Sequence, residues 1–241
     1  MERMNGLDLF SGIGGITLAL SEWVRPITYV EIDRYGQAVL ASRMADGLLH
    51  PAPIWDDVNT LHASDLPAKP DIIYGGFPCQ DLSLAGLQKG LGGERSGLFF
   101  QVIRLAQECR PEFVFLENVP GIYSNGIERV LEEISAIGYD CRYGVLSAED
   151  VGARHKRERW FLLAHARSQG LEGVHEKAGQ EHLQPTSRNP WEQRDIQEWE
   201  PEPDVARVAH GIPFRMDRTK ALGNSVVPAQ VTEVFKRLMG F

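Results

Sequence analysis

The sequence has few cysteines and lacks the spacings that usually pair them. Its 241 residues contain three, Cys79, Cys109 and Cys141, and no two of them form a C-x-x-C pair. This odd, sparse set excludes a disulfide framework and gives no indication of a zinc site. We therefore expect no bound metal and a reducing, cytoplasmic setting.

Long apolar runs and a large excess of positive charge are also missing. No stretch is long enough to span a bilayer, and residues 1–6 lack the basic-then-apolar shape of a secretory signal. The formal net charge of −8 argues against a uniformly basic surface for a polyanion. A local cleft can still be basic, and the densest basic run is Arg154–Arg159. This run is either a solvated strand edge or a contact for phosphates or bases.

What the sequence does contain is a series of apolar strands, each followed by a turn and a helical stripe. The first strand is predicted at Leu7–Phe10, and the glycine turn at 11–15 leads into a helix. A second strand is predicted at Ile27–Ile32 and a third over 54–58. Alternating strands and helices predict an α/β fold with a mostly parallel sheet. The G-x-G-G spacing of the turn departs from the dinucleotide pattern G-x-G-x-x-G.

The central stretch of the sequence is an apolar strand that ends in Gly75-Gly76 and leads to Pro78-Cys79. Ligands of open α/β sheets bind at the carboxyl ends of the strands. Cys79 is therefore a candidate nucleophile, although a free cysteine is more often a buried apolar residue. The glycine-rich stretch at 80–97 is either disordered or a functional lid.

A second apolar strand ends in Glu117-Asn118, followed by a Pro-Gly turn. A carboxyl group at a dry strand end should have a raised pKa, which suits a proton donor at neutral pH. The alternative is that Glu117 caps the following helix. At the end of the Ile27–Ile32 strand, Glu31 is predicted to accept hydrogen bonds from ribose hydroxyls, and Asp33 to cap a helix.

The composition divides the chain into three parts. Residues 1–166 are predicted to form a catalytic and cofactor-binding domain, and residues 206–241 a C-terminal segment that returns to it. Between them, residues 167–205 lose apolar periodicity and become polar. They are either a flexible insert or a small irregular domain.

In combination, these motifs resemble the DNA cytosine-5 methyltransferases. Phe10-Ser11-Gly12-Ile13-Gly14-Gly15 is similar to the first cofactor motif of that family, and Gly76-Phe77-Pro78-Cys79-Gln80 to its nucleophile motif. Glu117-Asn118-Val119, Arg157-Glu158-Arg159 and Gly223-Asn224-Ser225-Val226 resemble three further signatures, in the order of the family. The sequence departs from the family at His155, where glutamine is usual, and in its short polar segment at 167–205.

The resemblance implies a Rossmann-like S-adenosylmethionine-dependent methyltransferase that methylates C5 of a flipped-out cytosine in duplex DNA. Cys79 would add to C6 of the cytosine. Glu117 would interact with N3 and with the exocyclic amine, and Arg157 and Arg159 would bind the O2 side. The polar segment would recognise the target. S-adenosylmethionine would contact the following residues: Phe10, Gly12, Gly14, Glu31, Ile32, Asp57, Val58, Pro78, Leu98, Asn224 and Ser225.

The resemblance also implies a monomer in the nucleoid-associated cytoplasm, with double-stranded DNA and a cognate restriction endonuclease as partners. Three other functions remain open at this point. An RNA cytosine-5 methyltransferase would share the chemistry. A non-catalytic DNA-binding regulator would keep only the fold, and a dinucleotide-dependent oxidoreductase is disfavoured by the glycine spacing.

Overall fold

The computed structural model describes residues 2–78, 97–167, 221–223 and 225–240. Seven strands in these ranges form one sheet. They are β1 Met4–Leu9, β2 Val24–Val30, β3 Ile54–Trp55, β4 Ile72–Gly76, β5 Phe113–Asn118, β6 Tyr139–Leu146 and β7 Arg159–Ala166. The described α-helices are α1 Gly15–Leu20, α2 Arg34–Ala45, α3 Leu98–Cys109, α4 Ile122–Asn125, α5 Ile127–Ala136 and α6 Pro228–Met239.

The sheet has the strand order β3-β2-β1-β4-β5-β7-β6. Strands β1 to β5 pair in parallel, whereas β7 is antiparallel to both β5 and β6. This confirms the predicted α/β class with a mostly parallel sheet. The strand order reverses between β1 and β4, and in open α/β sheets such a reversal opens a crevice at the carboxyl ends of the strands.

The central strands are mostly apolar because both faces of the sheet are covered. Ile73, Val114 and Leu116 pack into one core with α3 and α5. On the opposite face, Tyr74 and Phe115 pack into a second core with α1 and α6. Successive side chains of a strand point to opposite faces, so a continuous apolar run is what a doubly covered strand requires.

Helix α6 is attached to the sheet domain although it is far from it in sequence. Its side chains Val231, Val234 and Phe235 are completely buried, and Thr232 Oγ1 donates a hydrogen bond to the carbonyl oxygen of Ala19 at 3.0 Å. This contact brings the C-terminal segment beside helix α1, which follows the glycine turn.

Strand β3 is shorter than predicted. It ends at Trp55 because Asp57 starts a turn: the carboxylate Oδ1 accepts a hydrogen bond from the Asn59 backbone N–H at 2.9 Å, and the Asp57 carbonyl accepts one from Thr60 N–H at 3.0 Å. Aspartate commonly stabilises turns in this way.

Candidate active site

The turn after β1 contains three residues in the left-handed backbone region. Phe10, Gly12 and Gly14 have φ values of 56°, 54° and 81°. A Cβ on Gly14 would lie 2.6 Å from Leu49, whereas a Cβ on Gly12 would meet only the Phe10 carbonyl oxygen, at 4.0 Å. Gly14 is therefore required for packing, and Gly12 leaves the surface of the turn open for a ligand.

Glu31 connects this turn to the end of β2. Its Oε2 accepts a hydrogen bond from Gly12 N–H at 2.6 Å, and its Oε1 accepts one from Asp33 N–H at 2.7 Å. Asp33 caps helix α2 through Tyr35 N–H and Gly36 N–H, as predicted. The neighbouring Ile32 is 73% exposed. An exposed isoleucine beside a fixed carboxylate fits the apolar and polar parts of a nucleoside.

The predicted adenine contacts Asp57 and Val58 follow β3. The Asp57 carboxylate is held by the backbone and side-chain N–H groups of Asn59. The Val58 side chain is buried in the core, and its carbonyl accepts a hydrogen bond from Arg104 Nη2 at 2.9 Å. Leu98, the first residue of α3, is partly buried against the same core. The Val58 side chain is therefore part of the core, and only its backbone is left to contact a ligand.

Cys79 and Asn224 lie outside the described residues. The chain that leads to Cys79 is described up to Pro78, which is exposed. Asn118 fixes this approach because its Nδ2 donates a hydrogen bond to the Phe77 carbonyl at 2.9 Å. The Phe77 ring is buried and packs on Phe99 with 5.3 Å between ring centroids. The end of β5 thus positions the end of β4.

Glu117 is buried at the end of β5 and pairs with Arg159 at the start of β7. Arg159 Nε lies 2.9 Å from Glu117 Oε1. Burial raises the pKa of the Glu117 carboxyl to about 7, although Arg159 and Arg157 act in the opposite direction. Near neutral pH this group can therefore give or take a proton, and Arg159 can stabilise its charged form.

Arg157 has different partners from Arg159. Its Nη2 donates hydrogen bonds to the carbonyl oxygens of Gly223, at 2.7 Å, and of Ser225. The next residue, Val226, packs against the start of α1, where a Cβ on Gly15 would lie 3.0 Å from its Cγ2. The structure therefore places Val226, the last residue of the Gly223–Val226 motif, against the helix that follows the glycine turn.

A buried polar chain beneath the glycine turn was missed from the sequence. Thr17 Oγ1 donates a hydrogen bond to Asp8 Oδ2 at 2.6 Å and lies 2.7 Å from the Tyr74 hydroxyl. Burial raises the pKa of Asp8 to about 7. The sequence did contain a signal for this hydrogen-bond chain, because Asp8 is a charged residue within an otherwise apolar stretch. A second missed residue is Arg43, whose Nη1 donates to the Ile13 carbonyl at 2.5 Å, and nothing in the sequence indicated it.

Within the described parts of the chain, no group of three histidine, cysteine, aspartate or glutamate side chains could hold a metal ion. No helix in those parts is long and apolar enough to cross a membrane.

Comparisons with known proteins were made with both the sequence and the structure. The sequence model of the family described as C-5 cytosine-specific DNA methylase matches residues 4–213. A type II methyltransferase (M.CviJI) of Paramecium bursaria Chlorella virus IL3A is 37% identical over 159 residues, which cover 66% of this chain and 42% of that protein. A type II methyltransferase (M.HhaI) of Haemophilus parahaemolyticus is 35% identical over 162 residues, 65% of this chain and 47% of that protein. The chain thus spans about half the length of the curated relatives it matches.

Two solved structures are similar in fold. A putative DNA modification methyltransferase encoded within a prophage of E. coli has a TM-score of 0.55 and 27% identity, covering 76% of this chain and 52% of that one. The S. pombe Dnmt2 methyltransferase has a TM-score of 0.56 and 24% identity, covering 70% of this chain and 53% of that one. The predicted methyltransferase fold is therefore confirmed. Since the family model matches residues 4–213, the chain belongs to the C-5 cytosine-specific DNA methylase family, as its motifs predicted.

Proposed function

We propose that this protein transfers a methyl group from S-adenosylmethionine to C5 of a flipped-out cytosine in duplex DNA. The observation that carries the proposal is the buried pair of Glu117 and Arg159. It lies beside the end of β4, the strand that leads to Cys79. Family membership supplies the reaction class, and the pair supplies the proton chemistry that this reaction needs.

The cytosine ring needs activation because its C5 is a poor nucleophile. The Cys79 thiolate forms a bond to C6, while the Glu117 carboxyl donates a proton or a strong hydrogen bond to N3. Arg159 offsets the charge that develops on this side of the ring. The resulting enamine is nucleophilic at C5. Once C5 carries the new methyl group, a base removes the C5 proton, N3 returns its proton to Glu117, the C5–C6 double bond reforms and the Cys79 thiolate leaves.

S-adenosylmethionine would supply the methyl group from its positively charged sulfur and would leave as S-adenosylhomocysteine. Residues of the first turn and of the end of β2 fit this cosubstrate. Gly12 leaves the surface of the turn open, Glu31 offers a fixed carboxylate for ribose hydroxyls, and Ile32 offers an exposed apolar side chain. Phe10, Gly14, Asp57, Val58, Pro78, Leu98, Asn224 and Ser225 complete the proposed pocket.

The proposal also covers the domain organisation, the oligomeric state, the location and the partners of the whole protein. Residues 1–166 and 206–241 are proposed to form the catalytic unit, and residues 167–205 to recognise the DNA target. The protein would act as a monomer on the DNA of the nucleoid, in the cytoplasm, alongside a cognate restriction endonuclease. The support for the endonuclease is that the relatives are named type II methyltransferases.

A covalent trap tests the proposed chemistry. Fluorine at C5 cannot leave as the proton does, so a duplex with 5-fluorocytosine at the target should hold the enzyme through Cys79. A denaturing gel should show an adduct that requires S-adenosylmethionine and is absent in Cys79→Ala. Parallel assays of tritium transfer to duplex DNA and to tRNA separate this proposal from an RNA methyltransferase. Transfer to tRNA alone would contradict it.

A further inference from the structure

Arg157 and Arg159 lie two residues apart, yet they bind different parts of the molecule. Arg159 pairs with the Glu117 carboxylate and donates a second hydrogen bond to the Glu158 carbonyl at 2.8 Å. Arg157 binds only backbone carbonyls in the described part of the chain, those of Gly223 and Ser225. The sequence had assigned both guanidinium groups to the O2 side of the cytosine.

The Arg157 side chain binds the backbone of two described residues of the C-terminal segment. A single nitrogen, Nη2, donates hydrogen bonds to the carbonyl oxygens of Gly223 and Ser225. Hydrogen bonds from a charged donor are stronger than neutral ones, so the contact restrains the backbone of this segment. Ser225 is also held through its own N–H, which donates to the Ala221 carbonyl at 3.0 Å.

The backbone of Arg157 is itself fixed by the C-terminal helix. Gln230, which is completely buried in α6, donates from Nε2 to the carbonyls of Arg157, at 2.7 Å, and of Leu146, at 2.6 Å. The Arg157 side chain thus reaches forward to 223–225, and the Gln230 side chain of the same C-terminal segment reaches back to Arg157. Val226 packs on Gly15 between these two contacts.

We propose that Arg157 is a positioning residue that holds the backbone of Gly223 and Ser225, next to the Val226–Gly15 contact, and thereby maintains the S-adenosylmethionine pocket. This inference rests on the proposed function. It gives the two arginines different roles. Arg157 affects cofactor affinity through the backbone of Gly223 and Ser225, whereas Arg159 affects the chemical step through Glu117.

The test compares variants of the full chain in two measurements. Calorimetry gives the Kd for S-adenosylhomocysteine, and methyl transfer to duplex DNA at varied S-adenosylmethionine gives kcat and KM. Arg157→Ala should raise both that Kd and the KM for S-adenosylmethionine by about ten- to a hundredfold, the loss expected for charged hydrogen bonds. Its kcat at saturating cofactor should change by less than about threefold. Arg159→Ala should show the reverse pattern, with a lower kcat and an unchanged Kd.

Two further variants separate positioning from general stability. Arg142 also ties the sheet to the C-terminal helix, because its Nη1 donates to the Leu238 carbonyl at 3.4 Å. Arg142→Ala is therefore the matched control, and its Kd should stay at the wild-type value. Arg157→Lys keeps a charged donor, should fold if the alanine variant does not, and should recover part of the affinity.

The outcomes distinguish this inference from the proposed function. If the wild-type protein binds S-adenosylhomocysteine and Arg157→Ala binds it equally well, Arg157 does not position the pocket. A fall in kcat with unchanged Kd would place Arg157 at the substrate and overturn the inference. If the wild-type protein binds the ligand but methylates no DNA, the proposed function fails, and a weakened Kd in Arg157→Ala still supports the positioning role.

Discussion

The Glu117 carboxylate lies directly beside Gly76 on the neighbouring strand. The two residues are paired in the register of β4 and β5, and a Cβ on Gly76 would come within 2.6 Å of Glu117 Oε2. The absence of a side chain at position 76 therefore creates the space that the carboxylate occupies. Because Gly76 also ends the strand that leads to Cys79, one residue links the two proposed catalytic groups.

Gly76→Ala should displace the Glu117 carboxylate while leaving the cofactor pocket intact. A misplacement of about 1 Å at a reacting group costs on the order of a hundredfold in rate, so we expect kcat to fall by about that factor. The matched control is Gly121→Ala in the neighbouring loop, where a Cβ would meet nothing closer than 3.9 Å. Equal kcat values for wild type and Gly76→Ala would show that Glu117 is not held by this contact.

Glu117→Gln should lower turnover by about two to four orders of magnitude, the range for loss of a general acid. Glutamine keeps the shape of the side chain and an oxygen for Arg159, so affinity for S-adenosylhomocysteine should not change. The pKa of about 7 also predicts that the wild-type rate falls as pH rises through neutrality, since the protonated carboxyl is the donor. A variant with near-normal turnover would leave Glu117 with a structural role only.

Asp8 should make the protein less stable as pH rises. Its pKa is about 7 in the folded state and 3.8 in a model peptide, so the folded state holds a proton that the unfolded chain has lost. The stabilisation is complete below the unfolded pKa and is lost as pH rises through about 7. The limiting slope is about 1.4 kcal/mol per pH unit for one proton.

Urea unfolding of wild type and Asp8→Asn across this pH window measures the effect. The free energy of unfolding should fall less steeply with pH in the variant, because the titrating group is gone. Glu117 titrates in the same direction and is present in both proteins, so the difference between the two slopes isolates Asp8. Parallel slopes would mean that Asp8 stays ionised in the folded state.

The cysteines should differ sharply in reactivity. Burial raises the pKa of Cys109 to about 11 and that of Cys141 to about 12, so neither forms the reactive thiolate at neutral pH. Mass spectrometry after iodoacetamide treatment of the native protein should therefore find Cys79 as the only alkylated position. Denatured protein should react at all three positions, and native Cys79→Ala at none. Rapid labelling of Cys109 or Cys141 in the native state would contradict this.

Exchange of the polar segment should move the methylated DNA motif. Arg167 is attached to the sheet domain, because its Nε donates to Asp140 Oδ1 at 2.8 Å and its Nη2 to Ser135 Oγ at 3.0 Å. A swap should therefore retain Arg167 and replace residues 168–205 with the matching segment of a relative. Bisulfite sequencing of host DNA should then show the motif of the relative. An unchanged motif would place recognition elsewhere in the protein.

The sequence was sufficient for the fold class because the constraint is local. A parallel strand covered on both faces is a nearly continuous apolar run, and such a run can be recognised in the sequence without its neighbours. The runs at Ile72–Gly76 and Phe113–Asn118 carry this pattern, and so does the Asp33 cap. Strand ends were less well predicted, as β3 shows, because a side-chain hydrogen bond at Asp57 stops the ladder.

The sequence motifs were sufficient by themselves to indicate the family of the chain and the side chains that are candidates for chemistry. Only the tertiary structure decided what those side chains bind. Arg157 and Arg159 have the same side chain and lie two residues apart at the start of β7, and no local pattern separates a contact with Gly223 from one with Glu117. Such contacts join residues that are more than 40 positions apart in the chain. They arise from strand order and helix packing, which bring together groups that the sequence keeps apart.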